Sequence, residues 1–360
     1  MNRKGEDFMK EYTGDKIRNV AIVGHGGAGT TSVTEALLYR SGAISRMCKV
    51  EDGATTTDYE PEEIKRKVSV NATLAAVEWR NTKINFIDTP GFADFVAEVK
   101  GAFRAVDSAL IVVCATSGVQ VGTEQCWKLA EEANLPRIIF VNKMDRENAD
   151  FDSILDNLRG KFGKCVLPLE LPLGTAENFE GVIDLYKMKA YRANGNDSDE
   201  IEIPEEYKAA AEEAREKMIE AAVEADDDCM MRYLDGETIS DEEIMKCLIK
   251  GIRQATIFPM ICGSAYKDIG LGRLMNAIVD CTYPAILNDF IVMDKETGEE
   301  EIRDANAPMS ALVFKTTSDP FVGRLSFFRV FSGSIKSDSV VFNSRREEEE
   351  RIGAIFTMRG

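Results

Sequence analysis

The segment Asn19–Thr34, NVAIVGHGGAGTTSVT, constrains this chain more than any other stretch. Val20 to Val23 is a short apolar run of strand composition. It stops at Gly24, and Gly26, Gly27 and Gly29 crowd the turn that follows. Thr30, Thr31 and Ser32 then lead into Val33-Thr34-Glu35-Ala36-Leu37-Leu38, which has helix composition. Strand, glycine turn and helix in that order form a phosphate cradle. Glycines let backbone N–H groups converge on an anion, and the helix N-terminus adds partial positive charge. The usual form of such a loop is G-x-x-x-x-G-K-S/T. Gly24, Gly29 and Thr31 satisfy it, with His25, Gly26, Gly27 and Ala28 between them, but Thr30 occupies the lysine position.

The remaining chain is patterned to match. Ser41 to Arg66 is polar and reads as a long mobile loop, carrying Thr55-Thr56-Thr57-Asp58 and the basic Lys65-Arg66-Lys67. Val68 to Trp79 and Lys83 to Asp88 read as strands, the second ending at Asp88-Thr89-Pro90-Gly91. Apolar spacing predicts a helix over Phe92–Val106 and another over Val119–Ala133. Ala109–Ala115 is a continuous apolar run, as in strands covered on both faces of a parallel sheet, and Arg137–Val141 reads as another buried strand. The second of these ends at Asn142-Lys143-Met144-Asp145. A last strand of this type, Ile257–Cys262, precedes Gly263-Ser264-Ala265 and a helix over Leu271–Cys281. Strands alternating with helices predict a doubly wound α/β domain over about 16–290. Ligands in such sheets bind at the carboxyl ends of the strands, where every one of these polar clusters lies.

Residues 152–256 are too many for a connection and predict an inserted α+β subdomain. It holds a strand at Gly181–Leu185, one long helix from Pro204 to about Leu234, and a capping box at Ser240-Asp241-Glu242-Glu243. From Ala311 the pattern turns to β, with strands at Leu312–Phe314, Gly323–Ser332, Ser339–Phe342 and Ile352–Met358 broken by Asp319-Pro320, Ser332-Gly333 and Asn343-Ser344. This predicts the start of an antiparallel barrel over 291–360, incomplete at Gly360, so the chain is expected to be the front part of a longer protein. Residues 1–15 are polar and predict a flexible tail.

Charge and cysteine usage narrow the function. Between Asp197 and Glu243 there are 19 acidic and 4 basic residues, a net of −15 out of the chain's −18. General nucleic-acid binding, including DNA, is therefore excluded. The acidic segment is either a solvated helical surface or a docking face. No apolar run approaches the roughly 20 residues of a membrane span. The eight cysteines contain no C-x-x-C pair and several lie in apolar runs, which predicts reduced thiols in a cytoplasmic protein. With His25 the single histidine, a His-based zinc cluster and a serine–histidine–aspartate triad are excluded.

Asn142-Lys143-Met144-Asp145 suits purine recognition, since an aspartate carboxylate can accept two hydrogen bonds from guanine's N1–H and N2 amine. Asp88 stands where a carboxylate would hold Mg²⁺ through water, and Gly91 leaves room for backbone approach to a γ-phosphate. Each motif alone is weak; the order loop, DxxG, NKxD, SA is not.

On these motifs the chain resembles the translational GTPases of the elongation factor G type. The matching stretches are GHGGAG (Gly24–Gly29), DTPGFADF (Asp88–Phe95), NKMD (Asn142–Asp145), CGSAYKDIG (Cys262–Gly270) and the barrel opening SDPFVGRLSFFRVFSG (Ser318–Gly333). The resemblance covers nearly all of the chain beyond the first fifteen residues. It implies a P-loop GTPase domain followed by a β-barrel, GTP or GDP with Mg²⁺ as ligands, and the ribosome, through stalk proteins and ribosomal RNA, as partner of a monomer. By the same resemblance Thr31, Ser69 and Asp88 hold the metal, and Ser264 and Ala265 support the base.

Three positions depart from the family pattern: Thr30 for lysine, Phe92 for the histidine that orients the attacking water, and Ser69 for threonine. Losing one charge-assisted contact costs on the order of 1.5–3 kcal/mol, roughly ten- to a hundredfold in affinity. Losing a water-positioning group costs about 10²–10⁴ in rate. Binding is thus expected to survive better than hydrolysis. Lys65-Arg66-Lys67 either replaces the missing charge, touches ribosomal RNA or is a solvated loop. His25 is expected to pack the phosphate loop, and Phe327, Phe328 and Phe331 to be barrel core and edge.

Overall fold

In the computed structural model, residues 10–195, 197–286, 290–293, 300–319 and 323–356 are described. Strand β1 (Ile17–Gly24) runs into helix α1 (Thr30–Arg40) through the glycine loop, and a short helix α2 (Pro61–Arg66) precedes the hairpin β2 (Thr73–Trp79) and β3 (Thr82–Asp88). Then come α3 (Val96–Phe103), β4 (Ser108–Cys114), α4 (Val121–Glu132), β5 (Arg137–Asn142), α5 (Phe151–Phe162) and β6 (Val166–Pro168).

A four-stranded antiparallel sheet follows: β7 (Glu170–Leu173), β8 (Gly181–Asp184), β9 (Lys189–Asn194) and β10 (Asp197–Ile201). Helices α6 (Glu205–Val223), α7 (Asp227–Leu234) and α8 (Asp241–Arg253) precede β11 (Phe258–Cys262) and α9 (Leu271–Cys281). Among the described residues the C-terminal strands pair as β12 (Phe290–Met293) with β13 (Glu300–Arg303), β14 (Ser310–Asp319) with β15 (Gly323–Ser332), and β16 (Val340–Asn343) with β17 (Glu348–Arg351).

The central sheet has the order β2-β3-β1-β4-β5-β11-β6, parallel except for β2. Alternation along each strand sorts its side chains to two faces. Ile22, Leu110, Val112 and Phe140 pack under α1 and α9, meeting Leu37, Leu274 and Ile278. Val23, Ile111, Val113 and Val141 face α3, α4 and α5, meeting Val99, Phe103, Trp127 and Leu158. Every residue of β4 and β5 is buried, which is why the stretches Ala109–Cys114 and Ile138–Val141 are apolar throughout. Because β1 lies between β3 and β4, the chain reverses direction around it and opens a crevice at the strands' carboxyl ends.

Several expectations are corrected. The stretch Ser41–Arg66 is not a featureless mobile loop. It contains α2, and Thr55, Thr57, Asp58 and Glu63 are buried. Glu35 in α1 accepts backbone N–H groups from Cys48 and Thr56, and Glu63 does the same for Val70 and Asn71, so buried carboxylates tie the segment down. The strand expected from Val68 begins only at Thr73, and the helix expected from Phe92 begins at Val96 after one short 3₁₀ turn at Ala93–Phe95.

The single helix Pro204–Leu234 is two, because Asp226 leaves helical geometry and accepts a hydrogen bond from Cys229 N, capping α7. Helix α5 and strand β6, which lie in the residues assigned to the insertion, instead extend the central domain: β6 pairs with β11, and Phe151, Ile154 and Leu158 of α5 join its core. Among the described residues the last strand is Glu348–Arg351 and residues 352–356 form none, while the rest of the expected Ile352–Met358 strand, like residues 1–9 and Pro320, lies outside the described residues.

Candidate functional site

The glycine loop leaves β1 at its carboxyl end and enters α1 at Thr30. Gly29 has φ +98° and a Cβ there would meet Asn142 Nδ2 at 2.7 Å, so both its conformation and its space demand glycine. Asn142 occupies that space to bind two loops together. Its Nδ2 donates to Ala28 O at 3.1 Å and its Oδ1 accepts from Ala265 N at 3.0 Å. Lys143 follows in the left-handed region at φ 67° and its Nζ donates to Gly27 O at 2.7 Å. Met144 is fully buried and its N–H donates to Gly263 O at 3.2 Å, while Asp145 stands half-buried beyond it. Ser264 is buried in a bridge with Ile269, and its Oγ accepts from Lys267 N. The loops carrying Gly24–Thr31, Asn142–Asp145 and Ser264–Ala265 therefore form one bonded wall.

The second wall comes from β3. Thr89 anchors it, donating through N and Oγ1 to Ile22 O at 3.1 and 2.8 Å. Pro90 is buried, and Gly91 then comes against the glycine loop, where its carbonyl accepts from Gly26 N at 2.9 Å. A Cβ on Gly91 would lie 2.6 Å from Gly26 N and 2.8 Å from its Cα. Phe92 lies over Gly26, its ring 3.0 Å from where a Cβ there would stand, with 47% of its surface exposed. His25 turns the other way. Its Nδ1 accepts from Gly122 N at 3.2 Å, the packing role expected of it.

Between the walls lies a cluster of oxygens. Thr31 Oγ1 and Ser69 Oγ are 2.9 Å apart, although they are 38 residues apart in the chain. Thr57 Oγ1 donates to Asp88 Oδ2 at 2.8 Å. Burial, together with the Asp58 carboxylate beside it, pushes the Asp88 carboxyl up to about 7. Burial also raises Asp58, against hydrogen bonds from Ser69 and Thr31. Asp88 Oδ1 and Asp58 Oδ2 are buried without a hydrogen-bond partner. Two orphaned carboxylate oxygens among three hydroxyls fit a hard divalent cation, which would satisfy both and reverse the upward shifts. Thr31, Ser69, Asp58 and Asp88 would hold it.

Asp58 and Thr57 escaped the sequence analysis because they sit in a polar stretch with no periodicity. Their only local signal is the tetrad Thr55–Asp58 itself. Conversely, none of the three basic residues proposed to replace the loop lysine is bonded to the loop: Lys65 is exposed on α2, Arg66 pairs with Glu62, and Lys67 Nζ donates to Glu51 O.

The elongation factor Tu GTP-binding domain family matches residues 15–284, three quarters of the chain. The chain belongs to the translational GTPases. Residues 308–360 of this translational GTPase match elongation factor G domain 2, so β14 to β17 lie in that second domain. A crystal structure of a Thermus thermophilus protein superposes with a TM-score of 0.83 at 35% identity, over 94% of this chain and 48% of that one. The chain thus spans about half the length of that relative.

Proposed function

We propose that this translational GTPase binds GTP and GDP with Mg²⁺ and works on the ribosome as a factor of the elongation factor G type, coupling nucleotide binding and hydrolysis to translocation. The observation that carries the reading is the bonded wall Ala28–Asn142–Ala265 facing the oxygen cluster of Thr31, Ser69, Asp58 and Asp88. It supplies backbone donors for phosphates on one side and metal-binding oxygens on the other. When bound, Mg²⁺ would neutralise charge on the phosphate oxygens. The chain's own part is to hold the phosphates on the Gly24–Thr31 amides and to read the base with Asp145 and the Ser264–Ala265 loop. The nucleotide unit of about 16–290 and the partial second domain of 291–360 would act as one monomeric front half, in the cytoplasm, against stalk proteins and ribosomal RNA.

Thr30 and Phe92 favour a second reading, a GTP-binding module that docks on the ribosome with little or no hydrolysis. Phe92 offers water no hydrogen bond, and Thr30 offers the phosphates no charge. A ribosome-protection factor would share this front half. Two measurements test the proposal. Titration with GTP, GDP and ATP, with and without Mg²⁺, is expected to show guanine preference and metal dependence; equal ATP binding refutes it. Single-turnover hydrolysis with added ribosomes separates the two readings, since no stimulation rejects the enzyme.

A further inference from the structure

The three residues that connect Ser69 to β2, Val70 to Ala72, are held largely by side chains from elsewhere. Val70 N and Asn71 N both donate to Glu63 Oε1 at 2.9 Å. Ala72 N donates to Glu98 Oε2, on α3, at 2.7 Å. The same carboxylate oxygen accepts from Lys315 Nζ at 2.8 Å, and that ammonium also donates to Ala72 O at 2.8 Å and reaches Asn71 Oδ1 at 3.5 Å. Lys315 belongs to β14 of the second domain, 243 residues away from Ala72. Its side chain is 12% exposed and that of Glu98 28%, so the contact is substantially shielded from water. Lys315 therefore grips the carbonyl of Ala72 and also the carboxylate that grips its N–H. Thr73, the next residue, pairs with Asp88 across the hairpin. The clamp thus acts on the short span that separates two of the oxygen-cluster residues.

We propose that Lys315 is a positioning residue for the metal-bearing loop, through which the second domain fixes Ser69 Oγ relative to Thr31 and Asp88 and so strengthens Mg²⁺-dependent nucleotide binding. The inference rests on the nucleotide reading above. By linkage, nucleotide with metal tightens the seating of the second domain by the same factor. That domain has a second tether, which supplies the control. Arg329 donates to Asp107 Oδ1 at 2.6 Å and to Ala105 O at 3.2 Å, seating β15 beside the α3–β4 turn through hydrogen bonds to residues other than 69–72.

The test compares Lys315→Met, which keeps the apolar stem and removes the ammonium, with Lys315→Arg and Arg329→Ala. In Mg²⁺, Lys315→Met is expected to bind GTP roughly three- to tenfold more weakly than the wild type, and in EDTA equally well. Lys315→Arg should recover most of the loss, and Arg329→Ala should leave the Mg²⁺-dependent gain intact. Independently of any nucleotide, hydrogen exchange at the Val70, Asn71 and Ala72 amides should accelerate in Lys315→Met and not in Arg329→Ala. Unchanged exchange in Lys315→Met overturns the clamp, as does an equal loss of Mg²⁺-dependent affinity in Arg329→Ala, which would mark a general undocking. A wild type that binds no GTP overturns the nucleotide reading instead, and the exchange data still decide whether the clamp exists.

Discussion

Replacing Thr30 by lysine restores one positive charge to the phosphate loop without altering its backbone. Thr30 is the first residue of α1, 8% exposed, with its Cγ2 3.2 Å from where a Cβ on Gly24 would stand. A lysine stem would have to leave this packed position along the loop toward the phosphates. One charge-assisted hydrogen bond contributes about 1.5–3 kcal/mol, and ordering the stem costs on the order of 1 kcal/mol. The net is about 0.5–2 kcal/mol, or roughly two- to thirtyfold tighter GTP binding. Lys143 does not pre-empt this gain, because its ammonium is engaged on the Gly27 carbonyl at 2.7 Å. Lys67 is likewise engaged at Glu51 O. Calorimetric titration of the wild type, Thr30→Lys and Thr30→Ala with GTP in Mg²⁺ measures the effect. Thr30→Ala is expected to stay within about twofold of the wild type, since it removes no charge. If Thr30→Lys binds no tighter, or Thr30→Ala loses binding outright, then the threonine itself contacts the phosphates and the missing charge is not the defect.

Two further predictions concern stability. Gly91→Ala places a methyl against the backbone of His25 and Gly26, atoms that cannot yield as a flexible side chain would, and it strains the Gly26 N to Gly91 O hydrogen bond. It should cost about 1–3 kcal/mol in urea denaturation and loosen the phosphate loop; a silent substitution would mean that the two loops separate freely in solution. Glu170 is buried beside Asp184, both paired with Arg273, which stacks on Tyr191. Burial pushes its carboxyl up to about 7, more than Arg273 pulls it down. A carboxyl raised above its unfolded value of about 4.5 favours the folded state most below that value, and the advantage is lost as pH rises through 7. Glu170→Gln should therefore flatten the fall in stability between about pH 4.5 and 7; an unchanged profile would assign that fall to other groups.

Much of this fold is local chemistry. Unbroken apolar runs such as Ala109–Ala115 announce strands covered on both faces, and the polar clusters that end them mark the carboxyl edge of the sheet. Glycines spaced as in Gly24–Gly29 and the pairs Asp88–Gly91 and Asn142–Asp145 carry their meaning in their own backbone and side chains. These features belong to segments short enough for composition to decide them, and the proposed nucleotide site is legible there as separate pieces.

What the tertiary structure alone decided are the places where distant groups overrule local pattern. Ser41–Arg66 has loop composition, yet Glu35 and Glu63 satisfy its backbone donors, so a stretch without periodicity becomes ordered. The helix expected to run on to Leu234 breaks where one carboxylate, Asp226, caps a new start. Strand β6 has three residues, too few to show a pattern, and exists because β11 offers it a free edge. Asp58 joins Asp88, and Lys315 reaches Ala72, only once the chain has closed on itself. Such contacts stabilise through burial of charge and shared hydrogen bonds between residues far apart in sequence, and no window of neighbouring residues contains both partners.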